Sequence, residues 1–328
     1  MHLSVDTVQS FPSGTLPSDG TLPQVAILLA TFDGARYLNE QLRGYLAQTH
    51  DQWCLYWRDD GSSDESASLV EAFAAGQGYG RCRRHTDAGC LRATGSFLAL
   101  LRLAVAGSAE FFAFSDQDDV WSPHKLSNGV AALRSVPSGK PALYFCARTV
   151  TSESLMPLRQ APFLRQPPGF PAVLTQNVAP GCCMMLNRAA AKLIGKSPVP
   201  EDTWHDWWSY IVVAACDGMI ITNQSPDILY RQHGRNLVGE TLSLWSRAVG
   251  ALRRGRASYL ARFWRHIAAL RAWDGPMSEQ TRTHLAIIEG ARHGGLHARI
   301  RALLVPGLVR QTWLETQVFR LWFLWGSR

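Results

Sequence analysis

Residues 111–121 read Phe-Phe-Ala-Phe-Ser-Asp-Gln-Asp-Asp-Val-Trp, a short apolar run that ends abruptly in three carboxylates. The apolar part has the composition of a buried strand, and Asp116, Asp118 and Asp119 follow it directly. Carboxylates this close repel one another unless a cation or a set of hydrogen-bond donors compensates them. The cluster therefore indicates either a hard divalent cation bound through oxygen or a solvated acidic loop.

Strand-like and helix-like patterns alternate around this stretch. Apolar runs predict buried strands at 25–30, 53–57 and 111–115, with a weaker strand at 81–85, and apolar residues at helical spacing predict helices at 37–47, 66–75 and 96–104. Such alternation with short links is typical of an α/β fold in which a mainly parallel sheet carries helices on both faces.

Polar residues follow three of these strands. Thr31, Phe32 and Asp33 come after the first strand, Asp59 and Asp60 after the second, and the acidic cluster after the fourth. Ligands of open parallel sheets bind at the carboxyl ends of the strands. We therefore expect all three groups to meet at one edge of the sheet.

The second half of the chain continues with further strands and then with helices alone. Short strands are predicted at 142–146, 183–186 and 219–222, and a helix that ends near residue 215 begins in Glu-Asp-Thr-Trp-His-Asp-Trp-Trp at 201–208. Tyr-Arg-Gln-His-Gly follows at 230–234. This pattern predicts a flexible leader at 1–23, one domain at 24–240 and a basic helical region at 241–328.

Composition limits the classes of protein to consider. With 328 residues, 46% hydrophobic and 18% charged, the chain can bury a full core. Its seven cysteines form no Cys-x-x-Cys pair, which indicates a reduced, cytoplasmic protein. No apolar stretch reaches the roughly 18 residues that a membrane span requires.

Charge is concentrated at the C-terminus. Residues 241–328 contain fourteen arginines, no lysine and four acidic residues, a net charge of +10, whereas the whole chain carries +7. Leu314, Val318, Trp322 and Trp325 recur at helical spacing beside arginines. Because no nucleic-acid motif accompanies this region, we expect a membrane surface as its partner and no nucleic acid. Helices that simply pack over the domain at 24–240 are the alternative.

Three motifs in order resemble the family-2 glycosyltransferases of the GT-A fold, especially the bacterial rhamnosyltransferase-like branch. They are Leu-Leu-Ala-Thr-Phe-Asp-Gly-Ala-Arg-Tyr-Leu at 28–38, Arg-Asp-Asp-Gly-Ser-Ser-Asp at 58–64, and Phe-Ser-Asp-Gln-Asp-Asp-Val-Trp at 114–121. His-Asp-Trp-Trp at 205–208 and the 230–234 segment fit the same branch. The resemblance covers about residues 24–240 and implies a GT-A-type, Rossmann-like sheet.

The resemblance assigns the donor site to the first two motifs and to the first carboxylate of the third. Thr31, Phe32, Asp59, Asp60 and Asp116 would hold the nucleotide of a sugar-nucleotide donor. Physically, Phe32 offers a stacking face for a pyrimidine and Asp59 an acceptor for its ring N–H. The structural alternatives are a core aromatic for Phe32 and a turn or helix cap for Asp60.

The resemblance also implies the metal and the base. Asp118, Asp119 and His233 would hold Mg²⁺ or Mn²⁺ against the donor diphosphate, although His233 could instead contact phosphate or lie in a surface loop. An EF-hand is excluded because its mid-loop glycine and terminal glutamate are missing after Asp116. Asp206 matches the position of the catalytic base, with a plain helix cap as its alternative.

Together these residues predict an inverting, metal-dependent glycosyltransferase. It would move a sugar, rhamnose from dTDP-rhamnose, to a hydroxyl of a lipid-linked or oligosaccharide precursor of a cell-surface polysaccharide, at the inner face of the cytoplasmic membrane. The alternative is a non-catalytic sugar-nucleotide-binding or scaffold protein of a polysaccharide assembly complex. A pure binding protein would have no need of a base such as Asp206.

Overall fold

A computed structural model describes residues 24–86, 89–162, 164, 168–234 and 255–326. The predicted leader and the predicted domain boundary at residue 240 lie outside these ranges. Nine strands are described, β1 Val25–Thr31, β2 Trp53–Asp59, β3 Cys82–Arg84, β4 Phe111–Ser115, β5 Val120–Trp121, β6 Ala142–Thr151, β7 Pro157–Gln160, β8 Met184–Asn187 and β9 Met219–Arg231.

Ten helices accompany them in the described residues. Those of the N-terminal part are α1 Ala35–Leu46, α2 Ser66–Ala75, α3 Arg92–Ala106, α4 Lys125–Arg134, α5 Arg188–Lys196 and α6 His205–Ala215. The C-terminal helices are α7 Arg256–Ala272, α8 Glu279–His293, α9 Leu296–Leu303 and α10 Trp313–Trp325. The predicted α/β fold class and the helical C-terminal region are confirmed.

All the major strands join one sheet, in the order β3-β2-β1-β4-β8-β6-β9-β5, with β7 paired to β6. Strands β1 to β4 pair in parallel, as predicted from the strand–helix alternation. Every residue of β4 is buried, and so are most residues of β1 and β2, because helices cover both faces of the sheet. This continuous burial explains why these strands have apolar runs without alternation.

Beyond β4 the sheet becomes mixed. Strand β8 runs antiparallel to β4, with Ala113 opposite Met185, so β8 begins at the edge where β4 ends. The turn at Gly181–Cys183, just before β8, therefore lies beside the acidic cluster that follows β4. A parallel sheet alone would have put this turn at the opposite edge.

The C-terminal helices pack on one another and on the catalytic body. Leu260, Phe263 and Ile267 of α7 recur at helical spacing and are buried. His266 of the same helix lies 2.8 Å from the hydroxyl of Thr203, just before α6. For α7, packing over the body is therefore the correct alternative.

Helix α10 shows a different pattern. Leu314, Val318 and Trp325 are exposed, in agreement with the predicted stripe, but Trp322 is half-buried and packs edge-on against Tyr259. Among the residues that the structure describes, no helix has both the length and the hydropathy that crossing a membrane would require.

Candidate active site

The carboxyl ends of β1 and β2 lie side by side, since Thr31 pairs with Asp59 in the parallel register. The buried Thr31 hydroxyl donates to Asp59 at 2.9 Å. The other oxygen of Asp59 accepts from the backbone N–H groups of Gly61 and Ser62 at 3.1 and 2.8 Å. Asp59 thus organises the turn after β2, while its half-exposed carboxylate faces the sheet edge.

Phe32 lies at the surface of this edge. Its side chain is 55% exposed, so the alternative of a core aromatic is wrong. Both backbone polar groups of Phe32 bond to the Gln117 side chain at 2.9 Å, the N–H to its oxygen and the carbonyl to its nitrogen. Gln117 belongs to the acidic loop, so this pair of bonds ties the loop after β1 to the loop after β4.

Asp33 makes a second connection within the same edge. Its backbone is in the left-handed region, with φ 46°, and its carboxylate accepts from the N–H of Ser63 at 2.7 Å. The N–H of Asp33 in turn donates to the hydroxyl of Ser62. The loops that follow β1, β2 and β4 are therefore joined by hydrogen bonds, as the strand-end argument predicted.

Asp60, a predicted donor contact, is turned into the protein. Its carboxylate pairs with the buried Arg58 at 2.8 Å and accepts from the N–H groups of Leu91 and Arg92 at 2.7 Å each. Burial opposes its ionisation, but the bonds from Leu91, Cys90 and Arg92 and the charge of Arg58 outweigh that effect, and its pKa is lowered. The geometry favours the structural alternative, in which Asp60 fixes the start of α3.

The acidic cluster lies at the carboxyl end of β4. Burial raises the pKa of Asp116 to about 8, and the charges of Asp118 and then Asp206 add to this effect. Asp119 is fully buried, and its pKa is also raised by burial and by the two neighbouring carboxylates. Carboxylates that are buried and close together resist ionisation unless a cation or further hydrogen-bond donors compensate their charge.

His233 contacts the acidic cluster through Asp118. Its Nε2 lies 2.7 Å from Oδ2 of Asp118, and its ring stacks on Tyr37 with 4.7 Å between the ring centroids. Arg231 bonds to both aspartates, from its backbone N–H to Asp119 and from Nε to the carbonyl of Asp118. The structure thus brings together Asp116, Asp118, Asp119 and His233, and of the alternatives for His233 it excludes an isolated surface loop.

The donor set fits a divalent cation. One oxygen of Asp119 is buried and has no hydrogen-bond partner among the described residues. Oxygen atoms of Asp116 and Asp119 and the sulfur of Cys182 lie within 4.8 Å of one another. Clustered carboxylate oxygens with one imidazole suit Mg²⁺ or Mn²⁺.

Asp206 lies in the first turn of α6, next to the turn before β8. Its two oxygens accept from the N–H of Gly181 at 3.0 Å and from the N–H of Trp207 at 2.6 Å. These bonds orient the carboxylate. A cap role and a catalytic role are both compatible with this geometry, since the carboxylate is only half-buried.

His205 and the two tryptophans behind Asp206 belong to the core. Trp207 and Trp208 are 5% and 0% exposed, which favours packing over an acceptor platform. His205 stacks on Phe97 with centroids 4.0 Å apart, and burial lowers its pKa to about 4. The imidazole of His205, next to Asp206 in the chain, is therefore neutral at neutral pH.

Sequence reasoning missed two residues of this site. Gln117 lies between Asp116 and Asp118 in the chain, and nothing local shows that its side chain joins two loops. Arg231 lies in the polar segment 230–234, and nothing local shows that it ends a strand and bonds to the acidic loop. The strand β9 extends to Arg231, and only its pairing with β6 over ten residue pairs reveals this.

Comparison with known proteins extends this description. The family described as glycosyl transferase family 2 matches residues 26–194. The dTDP-rhamnosyl transferase RfbG of Shigella flexneri is 23% identical over 231 residues, 66% of this chain and 75% of that relative. An uncharacterized glycosyltransferase of Nostoc sp. is 31% identical over 124 residues, 34% of this chain and 33% of the relative.

Solved structures share the fold. S. aureus TarS 1-349 in complex with UDP-GlcNAc has a TM-score of 0.57 at 11% identity, over 87% of this chain and 79% of that one. The mannosyltransferase PcManGT from Pyrobaculum calidifontis, in complex with GDP-Man and Mn²⁺, has a TM-score of 0.52 at 18% identity, over 96% and 90%. At such identities the likeness concerns the fold alone.

Proposed function

The chain belongs to glycosyl transferase family 2, in its rhamnosyltransferase-like branch, and we propose that it transfers one sugar from a nucleoside-diphosphate donor to an acceptor hydroxyl with inversion. One observation carries this proposal. Oxygen atoms of Asp116 and Asp119 lie within 4.8 Å of the Sγ of Cys182, and the N–H of the neighbouring Gly181 donates to Asp206 at 3.0 Å, so the acidic loop and the first turn of α6 face a common space. Inverting transfer needs this arrangement, because the leaving group and the base lie on opposite sides of one sugar carbon.

Asp118, Asp119 and His233 are the groups we propose as metal ligands, with the carboxylate of Asp116 beside them. A divalent cation bound there would neutralise the negative charge that develops on the departing nucleoside diphosphate. Arg231 supports the loop by bonding to both Asp118 and Asp119. His233 also holds its place by stacking on Tyr37.

Asp206 is the proposed base. It takes the proton of the acceptor hydroxyl while the acceptor oxygen forms the new bond to the anomeric carbon and the bond to the diphosphate oxygen breaks. The N–H groups of Gly181 and Trp207 fix its orientation. A single displacement of this kind inverts the anomeric centre.

The donor pocket is proposed to lie between the loops after β1 and β2. The exposed ring of Phe32 gives a stacking face, and Asp59 and Thr31 lie at the paired strand ends beside it. We propose dTDP-rhamnose as the donor. The relative named as a dTDP-rhamnosyl transferase supports this choice, and so does a stacking face that suits a pyrimidine.

The acceptor class that we propose is a lipid-linked precursor of a cell-surface polysaccharide, met at the inner face of the cytoplasmic membrane. The basic C-terminal region supports this placement, since its ten described arginines exceed its four acidic residues. An acceptor held at that surface would meet a transferase that is itself held there.

The proposal is tested with purified full-length protein and a panel of dTDP-rhamnose, UDP-GlcNAc and GDP-mannose, each with Mn²⁺, with Mg²⁺ or with chelator. Release of nucleotide and, with acceptor, formation of a glycoside are measured. We expect turnover of one donor that needs the cation, and its loss in Asp118→Ala with the fold retained. Tight binding of a sugar nucleotide without turnover on any acceptor would favour the scaffold alternative.

A further inference from the structure

Helices α9 and α10 expose an unusual amount of apolar surface. Leu296, Ile300 and Leu304 recur every four residues along α9 and at its end, and all are exposed. On α10 the exposed side chains are Trp313, Leu314, Val318, Leu321 and Trp325. We call these eight residues the apolar face.

The residues of the apolar face do not contribute to the hydrophobic core. Phe319 and Phe323, on the other side of α10, are buried against Phe263 of α7, so the inward side of the helix is already fully used. Trp313, Leu304 and Trp325 are 76%, 74% and 73% exposed. Eight apolar side chains exposed on two neighbouring helices of a folded protein indicate an interaction site.

A cavity of about 520 Å³ lies where α9, α10 and the start of α7 meet. Its walls are Arg256, Arg299, Leu324 and Trp325. Arg299 is anchored there, since one of its guanidinium nitrogens donates to the carbonyl of Leu324 at 2.8 Å. The cavity therefore combines two guanidinium groups with the indole of Trp325, which also belongs to the apolar face.

We propose that the apolar face inserts into the surface of an anionic membrane and that the cavity between α9 and α10 receives the phosphate of a lipid headgroup. The inference rests on the proposed function only in that a lipid-linked acceptor makes such docking useful. Apolar side chains beside arginines are the combination that interfacial helices use. Guanidinium groups bind phosphate oxygens in a matching planar geometry.

Charge favours a membrane over a second copy of the chain. Residues 296–326 contain Arg299, Arg301, Arg310 and Arg320 against the single acid Glu315, a net charge of +3. Two such faces would repel each other on approach, whereas an anionic leaflet attracts each of them. Self-association remains an outcome that the experiment must detect.

The experiment measures flotation of the full-length protein with vesicles of phosphatidylglycerol and phosphatidylethanolamine, and with phosphatidylcholine alone, at low and high salt. The test variants are Leu321→Glu with Trp325→Ala, for the apolar face, and Arg256→Gln, for the cavity. Matched controls are Leu158→Glu, an exposed apolar residue of β7, and Arg292→Gln, an exposed arginine of α8.

We expect binding to the anionic vesicles only, a loss of at least tenfold in the double variant, and a smaller, salt-dependent loss in Arg256→Gln. Both controls should bind like the wild type. Millimolar glycerol phosphate should not release the bound protein, because it competes only for the cavity and leaves the apolar face inserted in the membrane. Transfer to a soluble acceptor should be unchanged in every variant, which separates this inference from the proposed function.

Four results would overturn the inference. The first three are that the full-length protein does not bind anionic vesicles, that it binds phosphatidylcholine equally well, or that the double variant binds like the controls. A fourth is a dimer in size-exclusion chromatography that the double variant dissociates, because the apolar face would then be an interface between copies. Solubility and circular dichroism of each variant establish that the fold is retained.

Discussion

Replacing Gln117 by alanine would test how the donor site is held together. Its side chain spans two loops through two hydrogen bonds of 2.9 Å to the N–H and the carbonyl of Phe32. Gly34 lies so close that a Cβ atom there would stand 2.2 Å from the Gln117 amide. Gly34→Ala should therefore push the same side chain away without backbone strain, since Gly34 has a φ of −110°.

The magnitude follows from the two bonds. A hydrogen bond of this kind contributes about 0.5–1.5 kcal/mol net, and solvent around these exposed bonds favours the lower end of that range. Losing both should free the Phe32 loop and weaken nucleotide binding by about 1 kcal/mol, roughly fivefold in the dissociation constant. The two substitutions remove one interaction, so their effects should not add.

Calorimetric titration with dTDP, UDP and GDP in the presence of Mn²⁺ gives the dissociation constants for wild type, Gln117→Ala, Gly34→Ala and the double variant. We expect both single variants to weaken binding of the preferred nucleotide equally and the double variant to be no weaker. Unchanged affinity in Gln117→Ala, or full additivity in the double variant, would refute the role assigned to this bridge.

Three further predictions concern the stacking face for the donor, the buried pair of Asp60 and Arg58, and the pH dependence of the protein's stability. Phe32→Ala should weaken nucleotide binding by about 1 kcal/mol through lost stacking, whereas the exposed Tyr79→Ala should not; equal affinities by calorimetry would remove Phe32 from the donor site. Asp60→Ala leaves Arg58 buried without its carboxylate partner and should lower the free energy of unfolding, measured in urea, by about 3–5 kcal/mol. The control is Asp51→Ala at an exposed position, and an equal loss in both variants would contradict the buried pair. Burial lowers the pKa of His205 to about 4 and that of His266 to about 3. As the pH falls below about 6.5, these histidines therefore bind protons in the unfolded chain but not in the folded one. The free energy of unfolding should decrease by about 1.4 kcal/mol per pH unit for each histidine between about pH 6 and 4. His266→Gln should flatten this slope, and an unaltered slope would show that His266 is not a buried neutral group.

The first half of the fold was predictable because local and tertiary preferences agree there. Val25–Thr31 and Phe111–Ser115 are continuous apolar runs, and both are central parallel strands whose two faces are covered. Polar residues that end such strands must emerge at one edge, so the meeting of Thr31, Asp59 and the acidic cluster followed from topology alone.

The second half was predicted less well, and β9 shows why. The sequence predicted a strand only at 219–222, because Ser225 and Pro226 interrupt the apolar pattern, yet the strand runs to Arg231. Pairing with β6 continues past an irregularity in register near Ala147, and that irregularity accommodates Pro226. Long-range pairing of this kind brings His233 to Asp118, and no local signal could have shown it.

Asp60 illustrates a different limit. In sequence it resembles Asp59, since the two aspartates are adjacent at the carboxyl end of β2, just before Gly61. Only the fold decides that Asp59 faces the sheet edge while Asp60 accepts the amides that begin α3 and pairs with Arg58. A strand alternates its side chains between faces, but where it ends that rule no longer assigns them.

The most direct test of the central claim is the turnover of Asp206→Asn at saturating acceptor, with donor affinity measured in parallel. Asparagine retains the size and one oxygen acceptor of the aspartate but cannot remove a proton. If Asp206 is the base, turnover should fall by on the order of 10² to 10⁴ while the dissociation constant of the donor nucleotide stays the same. Turnover near that of the wild type would contradict the account and leave Asp206 as the residue that caps α6.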